Sequence, residues 1–549
     1  MKKTQSANSI FQDLLQEIQQ KNEVKLISDT FSKLKSNCER VTFVHELLEK
    51  NKLLPKLIFD KKCDEAAVRL REEGNLKFKK KRLKEAVDFY TESMGYSCSF
   101  ENYSKALANR SAALFELELY EECLNDINKA LEHHYPDDLK SKLLRRKEKV
   151  LQYKSSDDEN KYFNPIPDIL DDLKSNYIQC ASNSVEIKYS ESQGRHIVAT
   201  KNINIGEILA VETPFSQILV SEYFNHCHNC LKLCYNLLPC EHCTRSFYCN
   251  ENCRKNALKY HKYECNILKT LLSLKLDKMK LLPLKISLSV KNLYPTISQI
   301  TQLDPNEIYK SDEYKEIHNL IGNTDTRTVA DLFERSTTAA VIFSLIKNNA
   351  DFFSSDEDET IFKELLLLHF QTASCNFHEI SELSKNEGGY YETEEIGAGA
   401  FSFLSLFNHS CNPNVVRHCH GDAVVVRAIR SIEKGEQCYD NYGYHFAVMP
   451  KLHRIQNLKK QYFFDCNCNV CENNWPLLSD LPFTDVETGV TAEDITSLRK
   501  GNKKIAEDVL VKLLPKMQKL EKVQPNKLFF EMQEVLKQCY ALLGNVRRY

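Results

Sequence analysis

The sequence predicts an α+β multidomain chain. Helical repeats come first, then a β-rich domain interrupted by a metal-built module, then a short helical C-terminal region. Three observations predict it. Cysteine pairs crowd one segment: Cys227-x2-Cys230, Cys240-x2-Cys243, Cys249-x3-Cys253 and His261-x3-Cys265. Residues 63–152 repeat a helical pattern. Extended runs at Val185–Ile187, Ile197–Ala199, Ile208–Val211 and Ala423–Ala428 stand on either side of the cysteine segment.

Bulk properties narrow the class. A length of 549 residues suggests about three or four domains, and a hydrophobic share of 42% is enough for several cores. Net charge is −2, so no global field drives the chain toward nucleic acid or a membrane surface. The opening MKKTQSANSIFQDLLQEIQQ has no apolar core of a secretory signal, and no run of about 18 apolar residues predicts a membrane span. The 21 cysteines point to a reducing compartment with thiolates on metal. Cytoplasm and nucleus are the expected locations.

The elements follow in order. Residues 1–62 read as a helical segment, with Phe11, Leu14, Leu15 and Ile18 at helical spacing. In 63–152, Gly74, Ala86, Tyr90 and Ser93 take small and aromatic positions of a helix–turn–helix unit. Ser111, Cys123, Ile127 and Ala130 repeat them roughly 37 residues on, and a third helix begins near Lys140. This resembles a tetratricopeptide pair. Lys154–Asn160 reads as a polar linker. Residues 184–226 carry strands broken by turns at Ser192–His196 and Asn204–Glu207. A helical insert is expected over 266–400, a strand-and-turn segment over 401–446, a cysteine-rich segment over 447–475, and helices over 476–549, at Ile505–Leu514 and Lys527–Leu543.

The cysteine spacing has a chemical reading. Four pairs supply eight soft ligands, enough for two tetrahedral zinc sites. So short a segment holds too little apolar mass to fold by itself, so metal binding would supply its folding energy. Further on, Cys466-x-Cys468-x2-Cys471 gives three thiolates, one short of a tetrahedron. Cys411 is the expected fourth, which would staple this cluster to the turn Asn408-His409-Ser410-Cys411. Three Zn2+ ions are expected.

The 227–265 segment resembles a MYND zinc finger, with every ligand position and the Tyr248-Cys249 dipeptide present. The turn Asn408-His409-Ser410-Cys411-Asn412-Pro413-Asn414, Gly435-Glu436 before Tyr442, and the Cys466 cluster together resemble a SET methyltransferase domain. A SET domain split by a MYND finger, behind tetratricopeptides, is similar to the SET–MYND (SMYD) family. The likeness spans roughly residues 63–475.

The resemblance implies that one zinc takes Cys227, Cys230, Cys249 and Cys253 and another takes Cys240, Cys243, His261 and Cys265, with Cys234 left over. It implies S-adenosylmethionine as cofactor and lysine of a protein substrate, histone or not, as acceptor. Cofactor contacts carried over are Gln193, Gly194, Arg195, Asn323, Asn376, Ser405, Asn408, His409, Tyr462, Phe463 and Phe464. Phe464 would lie near the adenine and Tyr462 along the lysine channel. Gln193 and His196 depart from the family's usual Lys-Gly-Arg-Gly turn. Tyr442 is the expected catalytic residue. A lysine amine is mostly protonated at neutral pH, with a pKa near 10.4. An apolar channel beside a sulfonium cation would lower that value and free the nucleophile, and alignment would supply much of the acceleration. The family usually carries a longer helical C-terminal domain over its substrate groove, so the expectation is either a more open groove here or a gene model that is incomplete at its C-terminal end.

Arg71, Asn75, Asn109, Lys142 and Arg146 fall where chaperone-binding tetratricopeptides carry a carboxylate clamp for an acidic peptide tail. MYND relatives take proline-containing peptides. The competing reading is therefore an interaction scaffold with little or no methyl transfer. Direct nucleic-acid binding is not expected, because the finger is not strongly basic.

Overall fold

The structure is a computed structural model describing residues 6–153, 165–220, 224–304, 307–484, 486–522 and 524–547. The chain forms two compact units. One comprises Met1–Lys161, Ile218–Tyr294 and Arg327–Phe370; the other comprises Tyr162–Gln217, Pro295–Thr326 and Gln371–Tyr549. The expected linker at 154–160 lies outside the described residues.

The first unit opens with helices Ala7–Gln20, Val24–Phe31 and Asn37–Lys50. Ser6 and Ser36 start the first and third with capping boxes, each meeting two backbone N–H groups that the helix leaves unpaired. Ile10, Leu14 and Ile18 are buried while Phe11 and Leu15 are half-buried, as one apolar stripe requires. Five further helices, Asp64–Lys79, Leu83–Tyr96, Phe100–Glu116, Tyr120–Glu132 and Asp137–Tyr153, pack each on the next. The small and aromatic positions meet in space: a Cβ at Gly74 would stand 2.6 Å from the Tyr90 ring. Arg110 and Asp126 form a fully buried pair with two bonds of 2.7 and 2.8 Å. The cysteine segment belongs to this unit. It is a short hairpin, Leu238–Pro239 with Phe247–Tyr248, followed by helix Glu251–Glu264, whose start Asn250 caps.

The second unit is β-rich. Val185–Ser190 pairs antiparallel with Gly194–Ala199, and Gly194 takes φ +65° at the turn, a conformation that favours glycine. A three-stranded antiparallel sheet has Ala423–Ala428 at its centre, between Val415–His420 and Ile208–Glu212. The central strand is almost wholly buried. Asn408–His409 and Tyr439–Asp440 form a short parallel pair.

The expectation of a helical insert up to residue 400 is corrected. Helix ends at Asn376, and His378–Lys385 pairs antiparallel with Tyr391–Ala400. The chain turns at Gly388-Gly389, and buried Ile380 and Leu383 fix the inward face across a bulge. The segment carries a single leucine, Leu383, and its short apolar stretches do not by themselves separate strand from helix.

Helices Ala492–Arg499, Lys503–Leu520 and Lys527–Leu542 close the unit around Leu513, Met517, Leu536 and Cys539. The second of these runs through Pro515 instead of stopping at Leu514. The carbonyl deprived of its bond is that of Val511, a residue 76% exposed, so water can take the place of the missing N–H. Among the described residues no helix is long and apolar enough to cross a membrane.

Candidate active site and metal centres

Three clusters of soft ligands form. They are Cys227, Cys230, Cys249 and Cys253; Cys240, Cys243, His261 and Cys265; and Cys411, Cys466, Cys468 and Cys471, with ligand atoms within 4.8 Å of one another in each. The first two interleave along the chain, as the alternate pairing implies. Sulfur separations of 3.7 and 3.5 Å in the first, 3.9 Å in the second and 3.9 and 3.6 Å in the third match a tetrahedron of Zn–S bonds near 2.3 Å. Cys234 stands outside both sets, its thiol on Asn236 Oδ1 at 3.1 Å. His261 presents Nε2 to Cys240 and Cys243, and Glu264 takes Nδ1 at 3.1 Å, which orients the ring as a ligand.

The third cluster has a partner that no motif announced. Arg454, on helix Lys451–Tyr462, is 1% exposed; it donates from Nε to Cys411 Sγ at 3.2 Å and from Nη2 to Cys471 Sγ at 3.8 Å. Four thiolates around a divalent ion carry net negative charge, and this guanidinium offsets it.

Tyr442 lies where these elements converge. Its hydroxyl donates to the Phe407 carbonyl at 2.9 Å, and its backbone N–H donates to His409 Nδ1 at 3.1 Å. The His409 ring is 5.2 Å from that of Tyr442 and 6.2 Å from that of Phe464; Tyr462 stands 4.7 Å from Tyr442. Burial holds the Tyr442 phenol protonated well above its ordinary range and pushes Tyr462 up to about 12. Phe463 ends its helix at φ +64°, which turns the chain between Tyr462 and Phe464. Tyr444 bonds Gln461 at 3.0 Å, and Tyr439 lies in the parallel pair.

The remaining expected contacts are placed as follows. Asn408 Nδ2 reaches the Gln193 carbonyl at 3.3 Å, joining the turn at Gly194 to the Asn408 turn. Arg195 is committed to Glu316 at 2.8 Å and to the Asn319 carbonyl at 3.2 Å. Asn376 gives its amide hydrogens to the carbonyls of Ile321 and Thr372, both at 2.8 Å, and so leaves its own Oδ1 as the free acceptor end. Ser405 Oγ lies 2.8 Å from the Asn376 carbonyl. Asn323, at φ +54°, donates to Cys375 Sγ at 3.6 Å. His409 presents Nε2 to Cys411 Sγ at 3.4 Å, so both of its ring nitrogens work inside the protein.

Sequence reasoning missed Arg454 and Glu212. Glu212 is 1% exposed and accepts the N–H groups of Phe403 and Leu404 at 2.9 and 2.8 Å, fixing the turn that leads to Phe407. Nothing in a strand-end glutamate or a helical arginine signals burial.

In the first unit, Asn75 Oδ1 accepts from the Tyr90 hydroxyl and from Asn109 Nδ2, both at 2.9 Å. Arg146 bonds the Ala108 carbonyl at 2.8 Å and Ser111 Oγ at 2.7 Å. Arg71 Nε is buried without a hydrogen-bond partner among the described residues, and Lys142 is exposed.

The SET-domain family profile matches residues 194–443. The chain is 26% identical over 503 residues to the protein-lysine N-methyltransferase SMYD4 of Danio rerio, covering 75% of this chain and 66% of that one. It is 25% identical over 597 residues to that of Homo sapiens, covering 84% and 74%. The N-lysine methyltransferase SMYD2-B of Xenopus laevis is 27% identical over 285 residues, covering 51% and 59%. The chain thus spans about two thirds of the length of the SMYD4 relatives it matches.

Proposed function

We propose that this chain is a member of the SET- and MYND-domain (SMYD) family and an S-adenosylmethionine-dependent protein-lysine N-methyltransferase, a reading supported by the SET-domain match and the SMYD4 relatives. The observation that carries the reading is the double fixing of Tyr442, by the Phe407 carbonyl and by His409. The chain's own groups suit the cofactor: the half-exposed Asn408 amide, the Gly194 turn, the Asn376 Oδ1 acceptor and the Phe464 ring would hold its amino-acid and adenosine parts. Arg195 would order that turn through Glu316. When bound, S-adenosylmethionine supplies a methyl group made electrophilic by its sulfonium.

The residues then act in turn. Rings of Tyr442 and Tyr462 exclude water from the lysine side chain, and desolvation makes its ammonium release a proton to solvent. Since the Tyr442 proton is spent on Phe407, the phenol oxygen keeps lone pairs free to accept an amine N–H. That bond aims the nitrogen lone pair down the channel. The contribution is orientation, and the phenol stays neutral throughout. The test is methyl transfer from labelled cofactor to lysate proteins. Tyr442→Phe should lower it by about 10²-fold or more with the fold intact; an unchanged rate overturns the assignment.

The orphaned Arg71 Nε favours a second reading for the helical repeats. Arg71, Asn75, Asn109, Lys142 and Arg146 would clamp the terminal carboxylates of an acidic peptide such as a chaperone tail. The cysteine segment would act as a MYND finger for proline-containing peptides. Fluorescence anisotropy with an acidic C-terminal peptide and its C-terminal amide tests the clamp; equal affinity for the two removes it.

A further inference from the structure

A cavity lies on the three-stranded sheet, and it shares no residue with the Tyr442 site. In strand Val415–His420, alternation sends Val416, His418 and His420 to one face, and Arg427 stands directly across from Val416 on the neighbouring strand. Helix Lys527–Leu542 covers this face. Its Tyr540 ring stacks on His418 at 5.4 Å and 15°, and the Arg427 guanidinium lies 5.0 Å from the same ring. Between them is a cavity of about 170 Å³, with Lys503 and Glu507 at its exposed rim.

The lining is unusual for its unmet polarity. His420 and Tyr540 are 3% exposed and His418 is 8% exposed. Yet His418 Nδ1, both ring nitrogens of His420, Arg427 Nε and the Tyr540 hydroxyl have no hydrogen-bond partner among the described residues. Arg427 is anchored by one bond, from Nη1 to the Gly206 carbonyl at 2.9 Å. Buried polar atoms are normally paired, so several left open toward one cavity point to a ligand. Its charge follows from the lining. Among the described lining residues, Arg427 and Lys503 are cations and Glu507, at the rim, is the one carboxylate. A guanidinium in the lining disfavours a metal ion on the two histidines, whereas Arg427, His418, His420 and Tyr540 each carry at least one N–H or O–H that can donate a hydrogen bond.

We propose that this cavity binds a small tetrahedral oxyanion of the phosphate class, held by Arg427, His418, His420 and Tyr540 and drawn in by Lys503. Burial and the nearby Arg427 hold both imidazoles neutral, with His420 lowered to about 4, so each supplies one N–H. The shared chemistry has two sources: free inorganic phosphate, or the phosphate ester of a small molecule.

Isothermal titration of the full chain at constant ionic strength tests this, with inorganic phosphate, sulfate and glycerol phosphate as probes against chloride. One saturable site is expected within about 10 mM. Arg427→Gln and His420→Gln should weaken it at least ~10-fold. Lys503→Gln, on the exposed rim, should weaken it several-fold without threatening the fold. Tighter binding of the ester assigns the ester as source, and equal or weaker binding assigns the free ion. Absence of saturable heat in the wild type, or wild-type affinity in Lys503→Gln together with Arg427→Gln, overturns the site.

Discussion

The His409 ring accepts the backbone N–H of Tyr442 on Nδ1 at 3.1 Å and faces Cys411 Sγ with Nε2 at 3.4 Å. An acceptor at Nδ1 puts the proton of the neutral ring on Nε2, aimed at the sulfur. One imidazole therefore couples the proposed catalytic tyrosine to the third cysteine cluster. His409→Phe keeps the aromatic volume and loses both bonds. Methyl transfer should fall by ~10-fold or more, and zinc release to a chelator should quicken. Unchanged values of both would remove the coupling.

The charge state of Glu212 sets a pH response. Burial pushes its carboxyl from the ordinary 4.5 up to about 8, against the pull of the Phe403 and Leu404 N–H groups. The folded chain thus keeps a proton that the unfolded chain has released. Stability is greatest below the unfolded value and declines as pH rises from about 4.5 toward 8, by at most about 1.4 kcal/mol per unit. Denaturation midpoints measured across this window should slope downward in the wild type and flatten in Glu212→Gln. Parallel slopes would contradict it.

Arg454 should matter to metal retention more than to the rest of the fold. Arg454→Met keeps the packing of its stem and leaves the Cys411 and Cys471 sulfurs without its charge. Zinc affinity at that site should drop ~10–100-fold, the range seen when groups around metal ligands are removed. Competition with a chromogenic chelator reads it, the other two sites serving as internal controls.

Arg110 and Asp126 make a cycle that separates two views of a buried pair. Removing only Arg110 strands a carboxylate and also unbonds Thr91 Oγ1 and the Leu237 carbonyl, so Arg110→Ala should cost about 3–5 kcal/mol. Replacing both with Met and Leu should recover a large part of it. Equal losses in the single and double variants would refute the stranded-charge account.

Much of this was legible beforehand because it depends on short stretches of chain. Pairs such as Cys227-x2-Cys230 hold their ligands close whatever surrounds them, and the Cys466 cluster lacked one thiolate that Cys411 supplies in space. Period and capping residues likewise marked the helices at Ala7–Gln20 and Asn37–Lys50. The hairpin over 378–400 was misread as helix because its pairing partner, not its composition, makes it a strand.

Amino-acid order alone determined which residues could bind metal and that an Asn-His-Ser-Cys turn would stand before Tyr442. Only the folded chain decided that the Phe407 carbonyl accepts the hydrogen bond of the Tyr442 hydroxyl, that Glu212 and Arg454 are shut away from water, and that two histidines and an arginine share a cavity. Ligand spacing is a covalent property, preserved in any conformation. Burial and the choice of hydrogen-bond partner arise from packing between segments far apart in the chain, and no local pattern encodes them.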